Sequence, residues 1–481
     1  MTTVNLSLVS HTNVGKTTLV RTLLTQDVGE VRDAAHVTDV ATGYVMVQAG
    51  DDTLMLWDTP GFGDTTRLLK RLRASGNPIG WFLTQVWDRF RERALWSSQQ
   101  AVRNVRDHAD VILYLVNAGE DPADANYVPL EIEILQWIGK PVVLLLNQLG
   151  PPRADGGDDA ERWRRRLAHA GVVQGALGLD AFARCWVQEG TLLDTVAGLV
   201  APEKGPAMAG LRARWQALNV ERFHASMAVL ADGLTRAAVD REEVLNRDWR
   251  DRVGDLLPFR GEAPAEERRA MGRLAERLEA GTRGSTERLI ELHGLSGRAA
   301  RAVLQRLRDD YAASAPAKEG YAAVLGGLMS GAVGGLAADL AAGGLTLGGG
   351  LIVGGVLGAL GAGGAAKTYN LARGDEGAGV RWGEAFFTGL VRSALLRYLA
   401  VAHFGRGRGE WEEGEHPAFW QDAIADVLAP RAGEVRAIWD AGKREGADAL
   451  RPRVERLLTG SAAELLARLY PEARGILAGE V

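Results

Sequence analysis

Cysteine is almost absent: Cys185 is the single one in 481 residues. One thiol cannot close an internal disulfide, so packing has to hold the fold, which suits a reducing compartment. A surplus of either charge is missing as well, with 56 Lys+Arg against 61 Asp+Glu and a net charge of −5. That balance gives no electrostatic case for DNA as a partner, and no basic RNA-binding module stands out. The first residues carry no charged and apolar leader but read straight into a strand, so export is not expected. His403 and His416 have no further ligands at metal-binding spacing, and no fixed-period repeat organises the chain. What the chain does have is length. It is too long for one hydrophobic core, so two or more domains are expected.

The most informative stretch is Ser10-His11-Thr12-Asn13-Val14-Gly15-Lys16-Thr17-Thr18. Residues 4–9 before it alternate and are β-prone, and residues 19–24 after it have helical spacing. A strand that turns into a helix through such a loop is the setting of a phosphate-binding loop. The amides of a helix start favour an anion. Gly15 lets the main chain approach the phosphates, Lys16 adds a point charge, and the Thr17 hydroxyl suits Mg²⁺. Ser10 stands where the first glycine of the G-x-x-x-x-G-K-[ST] pattern belongs, with strain expected if that position needs a positive φ. Ser10, Asn13, Val14, Gly15, Lys16, Thr17 and Thr18 are therefore the candidate phosphate contacts.

A second motif, Asp58-Thr59-Pro60-Gly61, ends the apolar run 54–57. An acidic residue there holds Mg²⁺ through water, and Gly61 can offer its amide to a γ-phosphate. With these two motifs in order, the first 200 residues or so resemble the Era-like branch of the translation-factor-related P-loop GTPases. The resemblance implies a mostly parallel α/β domain that binds GTP or GDP with Mg²⁺. It implies a switch threonine between the motifs, Thr38 in preference to Thr42, so that Thr17, Thr38 and Asp58 form the metal set. Phe62 replaces the glutamine that orients water in many relatives, and an apolar side chain cannot do that work. The T-N-V-G-K loop also resembles that of potassium-activated members, in which Asn13 would help to hold K⁺; shaping the turn is its other reading. The catalytic set is then Lys16, Thr38, Gly61 and Asn13.

The base-reading motif is worn. Residues 110–117 and 141–147 read as buried parallel strands, with a helix over 129–138 between them. The second strand runs into Asn147-Gln148-Leu149-Gly150, where the family pattern is N-K-x-D. Asn147 matches and Gln148 takes the lysine position. Gly150 has no carboxylate for the guanine edge, and Asp155, Asp158 and Asp159 are substitutes that the sequence cannot choose between. Cys185 and its neighbours occupy the fifth motif region. They read as strand, with Cys185 a buried filler and residues 190–194 as the entry to the next helix. Residues 80–96 are rich in aromatics, Trp81, Phe82, Trp87, Phe90 and Trp96 among them. They suggest an inserted helix packed on the domain, a partner surface being the alternative.

Residues 202–206 form a short linker, and beyond it the expectation is an all-α region: helical 201–318, glycine-rich 319–373 and helical 374–481. Residues 320–366 hold one charged residue, Asp339, and about a third of them are glycine. Such a run makes a poor helix in water but pairs closely in lipid. Gly327, Gly331 and Gly335 repeat at four, as do Gly350, Gly354 and Gly358, and basic residues flank both ends. This suggests a membrane hairpin with cytoplasmic ends, the alternatives being a soluble glycine-packed pair or low-complexity chain. The basic turn 406–409 would suit anionic lipid. The sequence thus points to a GTP-binding switch, cytoplasmic and on or in the inner membrane, with an unidentified protein effector. A dynamin-like remodelling enzyme is the alternative, and an RNA- or ribosome-associated factor the weaker one.

Overall fold

The computed structural model describes residues 1–25, 40–85, 92–147, 159–179, 185–243, 265–295, 369–374, 377–404 and 419–476. Two compact units divide the chain, one built on residues 1–221 and the other on 222–401 and 415–469, as far as these are described. The first unit runs β1 (Thr3–Ser10), α1 (Lys16–Leu24), β2 (Thr42–Ala49), β3 (Asp52–Asp58), α2 (Thr65–Arg73), α3 (Pro78–Thr84) and α4 (Arg93–Asp107). It continues through β4 (Val111–Asn117), α5 (Tyr127–Ile138), β5 (Val142–Asn147), α6 (Asp159–Arg166), β6 (Val173–Gly178) and α7 (Trp186–Ala197), and α8 (Gly205–Val239) begins in it.

The strands form one sheet in the order β2-β3-β1-β4-β5-β6, parallel except for the β2–β3 pair. β4 and β5 are central and buried along their length apart from Asn117, which is why both read as unbroken apolar runs. β2 is an edge strand with mostly exposed or half-exposed residues. The chain leaves β1 toward β3 and returns to β4 on the other side, so β1 ends at the topological switch point. In open α/β sheets ligands bind at the carboxyl ends of strands at such a point. The loop 11–15 sits there because β1 stops at Ser10 and α1 starts at Lys16.

One core cluster covers a face of this sheet and includes Phe62, Phe82, Tyr114 and Trp163, each at most 1% exposed. Burying a large apolar side chain in this way contributes about 1.5–3 kcal/mol. The aromatic insert packs here: Ile79 and Phe82 of α3 are in the cluster, with Trp81 and Leu83 against it. It is not one helix, however. Thr84 ends α3, Gln99 of α4 ties down its end by bonds to the Phe82 and Gln85 carbonyls, both 2.7 Å, and α4 starts at Arg93. Trp87 and Phe90 lie outside the described residues.

Two expectations near residue 185 need correction. Cys185 is not on a strand but at the N-cap of α7, and residues 190–194 lie inside that helix rather than at its entry. The expected linker 202–206 is also structured. It forms a 3₁₀ turn and the start of α8, with Lys204 Nζ bonded to both Asp110 carboxylate oxygens and the Thr3 carbonyl at 2.7–2.8 Å.

The second unit takes in the rest of α8, then β7 (Arg241–Glu243), α9 (Ala265–Leu292), β8 (Tyr369–Gly374) and β9 (Gly377–Trp382). It goes on to α10 (Glu384–Ala402), α11 (Phe419–Leu428), α12 (Ala432–Ala441) and α13 (Ala447–Leu469). The region is helical, with a small antiparallel sheet β7-β9-β8 that the periodicity did not announce. Short strands with glycine at Gly374, Gly377 and Gly379 leave little alternation to read. Arg381 fastens this sheet to the helices: it donates to the Ala238 and Trp439 carbonyls at 3.1 Å and lies over the Trp439 ring. α10 is, among the described residues, the one helix long and apolar enough to cross a membrane, and 61% of its apolar window is buried inside the protein. The glycine-rich segment 320–366, the basic turn 406–409 and His416 lie outside the described residues.

Cys185 provides a check on the first unit's packing. It is fully enclosed, and that burial pushes its thiol up to about 12. At pH 8 the thiolate fraction is then on the order of 10⁻⁴. Iodoacetamide at that pH should leave the folded chain unlabelled for hours and modify it once guanidinium unfolds it. Rapid labelling of the native chain would contradict the packing around α7.

Candidate nucleotide site

The site begins with a turn that few residue types can make. Asn13 has φ 66° and Gly15 φ 91°, both left-handed, and Gly15 is the N-cap of α1. Asparagine tolerates that region and glycine adopts it freely. At Gly15 space is restricted too, since an added Cβ would lie 2.9 Å from Asn147 Nδ2. Asn147, at the end of β5 and fully buried, donates from that nitrogen to the Val14 carbonyl at 2.8 Å. It therefore braces the loop from the neighbouring strand.

Ser10 is not among the described residues with positive φ, so the strain expected from the missing glycine does not arise. Its hydroxyl is in use instead, donating to the His11 carbonyl at 2.5 Å and accepting from Lys16 Nζ at 2.9 Å. Lys16 also donates to the His11 carbonyl at 3.4 Å. The ammonium is buried, which pushes its pKa below the usual lysine value, while the nearby charges of Asp58 and Glu131 pull it back up. A buried cation of this kind favours an anionic ligand.

The second motif reaches the same point through the β1–β3 register, in which Leu8 pairs with Asp58. Thr17 Oγ1 donates to Asp58 Oδ2 at 2.7 Å, and Asp58 is 2% exposed. Thr59 anchors the turn by donating to the Leu8 carbonyl at 2.7 Å. Phe62 N donates to the Ser10 carbonyl at 2.9 Å, and Thr12 N donates to the Phe62 carbonyl at 3.2 Å, so the two motifs are stitched backbone to backbone. Between them Gly61 lies against the lysine. A Cβ there would stand 3.0 Å from both Lys16 Nζ and Thr12 Cα. The Phe62 side chain is fully buried in the core and faces no solvent.

Ser10, Val14, Gly15, Lys16, Thr17, Asp58, Gly61 and Asn147 are thus brought together at the end of β1, with Thr18 buried one residue further along α1 and Asn13 exposed at the mouth. Thr38, Gln148, Gly150, Asp155 and Asp158 lie outside the described residues. Thr42, the other switch candidate, opens β2 opposite Asp58 and bonds to the Val40 carbonyl at 3.3 Å. Asp159 starts α6 and accepts from Arg162 at 3.2 Å. The paired hydroxyl of Thr17 and carboxylate of Asp58 are hard oxygen donors beside the buried Lys16 ammonium, a donor set that fits Mg²⁺.

Sequence reasoning missed Glu131. It is completely buried in α5, with one carboxylate oxygen 2.6 Å from His11 Nδ1. The signal was present: Val128, Glu131, Ile132 and Leu135 share the buried helical face, and an acid in that series stands out.

Comparison with known proteins agrees in kind. Residues 5–148 match the family described as 50S ribosome-binding GTPase, and residues 168–456 match a domain of unknown function (DUF3482). No curated protein matches the sequence. Among solved structures, a crystal structure of Aquifex aeolicus Era bound to GDP.AlF4- is 18% identical with a TM-score of 0.31, covering 42% of this chain and 58% of that one. A crystal structure of Era in complex with MgGDPNP and a segment of 16S ribosomal RNA gives the same values. The chain therefore spans 58% of the length of each of these structures.

Replacing Lys16 tests the cradle directly. Lys16→Ala removes a charged hydrogen bond of about 1.5–3 kcal/mol, so calorimetry should find binding of a non-hydrolysable GTP analogue weakened by roughly tenfold or more. Unchanged affinity would mean that the phosphates bind elsewhere.

Proposed function

Because the chain belongs to the family defined by the domain of unknown function DUF3482 and carries a P-loop GTPase domain ahead of it, we propose that it is a GTP-binding switch with slow hydrolysis that works at the cytoplasmic face of the inner membrane. The observation that carries this reading is the meeting of two motifs at one strand end: Lys16 held by Ser10, Gly61 against Lys16, and Thr17 bonded to Asp58. In this reading Lys16 and the amides of residues 13–18 hold the phosphates, and the Gly61 amide senses the γ-phosphate. Thr17 and Asp58, joined by Thr38, hold Mg²⁺, which when bound spreads the phosphate charge. By the motif, Asn147 and Gln148 take base-reading positions, and the missing aspartate at Gly150 makes guanine preference narrower than in an intact motif.

The burial of Phe62 supports slow turnover, since no side chain at that position can orient water. Without a water-orienting side chain, further stabilisation of the charge that builds on the phosphates calls for another group. Asn13, exposed at the mouth of the loop, suits a monovalent cation such as K⁺, which acts where an arginine finger acts in other GTPases. With Mg²⁺ saturating, potassium should accelerate GTP hydrolysis at least several-fold over sodium. Asn13→Gly, which keeps the left-handed backbone, should abolish the difference and leave nucleotide binding intact. Equal rates in the two salts would return Asn13 to a purely conformational role.

The membrane part of the proposal rests on the sequence of residues 320–366, with paired small-residue spacings and basic flanks. The full chain should float with liposomes of anionic lipid, and a variant lacking 320–366 should stay in solution yet still bind GTP. Nucleotide-dependent assembly on those liposomes would move the reading to membrane remodelling. The 50S ribosome-binding description of the first family supports a second reading. Co-sedimentation with ribosomal subunits, without flotation, would favour it.

A further inference from the structure

Beyond its charge near Lys16, the Glu131 carboxylate joins three elements of the first unit. Oε1 lies 2.6 Å from His11 Nδ1, in the phosphate loop, and accepts from Thr65 Oγ1 at 2.9 Å. Oε2 accepts from the Tyr114 hydroxyl on β4 at 2.7 Å. Thr65 is the first residue of α2, directly after the D-T-P-G-F-G-D turn. The His11 ring packs on Tyr127, with centroids 4.5 Å apart, and the His11 carbonyl accepts from both Lys16 and Ser10. A single carboxylate therefore connects the segment that carries Lys16 to the segment that follows Gly61.

A carboxylate in the interior is costly unless every lone pair is used, and an apolar side chain of similar volume would serve the core of α5 at least as well. Here two of the acid's three partners come from the two segments that form the nucleotide site. The second of them, which follows the D-T-P-G turn, is of the kind that responds to a γ-phosphate in switch proteins. The contact pattern is that of a joint between them, beyond what packing of α5 requires.

We propose that Glu131 is a positioning residue for GTP hydrolysis, locking the phosphate loop through His11 to the start of α2 through Thr65. The proposal rests on the reading of this loop as the triphosphate site. Glu131 touches no substrate; it acts by fixing where Lys16 and Gly61 stand relative to each other. Its removal should reduce kcat more than it weakens GDP binding, because the α2 start matters chiefly when a γ-phosphate is bound.

The test uses the full chain and steady-state GTP hydrolysis in saturating Mg²⁺. Glu131→Leu should lower the thermal transition, because the buried Tyr114 and Thr65 hydroxyls lose their acceptor, and should lose roughly tenfold or more in kcat with a smaller loss of GDP affinity. Glu131→Gln keeps an acceptor for Thr65 and should recover part of that loss. Two milder variants keep the proposal open to refutation if Glu131→Leu fails to fold: His11→Phe retains the ring on Tyr127, and Thr65→Val removes only the hydroxyl. His11 and Thr65 are linked through Glu131, so their combined effect on kcat should fall clearly short of the product of the two single effects. Normal kcat in Glu131→Leu, or multiplicative losses in the double variant, would overturn the inference while wild-type GTP turnover stands. A wild-type chain whose GTP binding is indifferent to Lys16→Ala would overturn the reading of the loop, and this proposal with it.

Discussion

A lysine ammonium in a protein interior sets the terms for the first unit. Burying a charge costs far more than burying an amide unless partners are supplied. Lys16 is 8% exposed and is met by the Ser10 hydroxyl and the His11 carbonyl, with the charges of Asp58 and Glu131 close by. These groups come from three different parts of the sheet and its loops. Ser10 ends β1, Asp58 ends β3, and Glu131 lies in the helix between β4 and β5. The parallel order of strands is what allows their ends to converge, since parallel strands deliver all their carboxyl ends to one edge. The sheet can thus be seen as the frame that makes one buried cation tolerable.

Much of that frame could be read in advance. β4 and β5 announced themselves as apolar runs because both of their faces are covered, and the two motifs fell at the ends of strands as expected. Harder to read were the groups whose role depends on a partner far along the chain. Ser10 looked like an imperfect glycine, but its hydroxyl binds Lys16, a contact that no local pattern encodes. Glu131 lies 120 residues from His11. Its helical neighbours showed that it faced inward without showing what it met. Cys185 looked like strand because its neighbours are bulky and apolar, whereas the fold uses them to begin α7. In the second unit β7 is three charged residues long and the β8–β9 hairpin is short and interrupted by glycine, so periodicity does not reveal them.

The two motifs also explain each other's odd residues. Phe62 occupies a position where a polar side chain would be useful to chemistry, and the reason is structural. Its backbone is bonded on one side to Ser10 and on the other to Thr12, and the ring drops into the core with Tyr114 and Phe82. The segment after Gly61 is therefore held by both its main chain and its side chain. That anchoring keeps Gly61 against Lys16, where even a methyl group would crowd the ammonium. A site built this way trades a catalytic side chain for a fixed main chain.

The same economy governs how ready the site is for its ligand. Thr17 is bonded to Asp58, Lys16 to Ser10 and Asn147 to the Val14 carbonyl, so each group is held in place by the protein's own bonds. Preorganised groups spend little binding energy on ordering side chains, and they stabilise charge without reorganising during the reaction. Their protein partners must nevertheless share or give up those bonds when phosphate oxygens approach. Lys16 has the most to gain from the exchange, because a phosphate neutralises a cation that hydroxyl and carbonyl dipoles only solvate. In the proposed reading Lys16 is therefore the residue on which phosphate binding depends most. The surrounding bonds decide where that residue stands, which is why the packing of Gly61, Phe62 and Glu131 matters as much to the site as the loop itself.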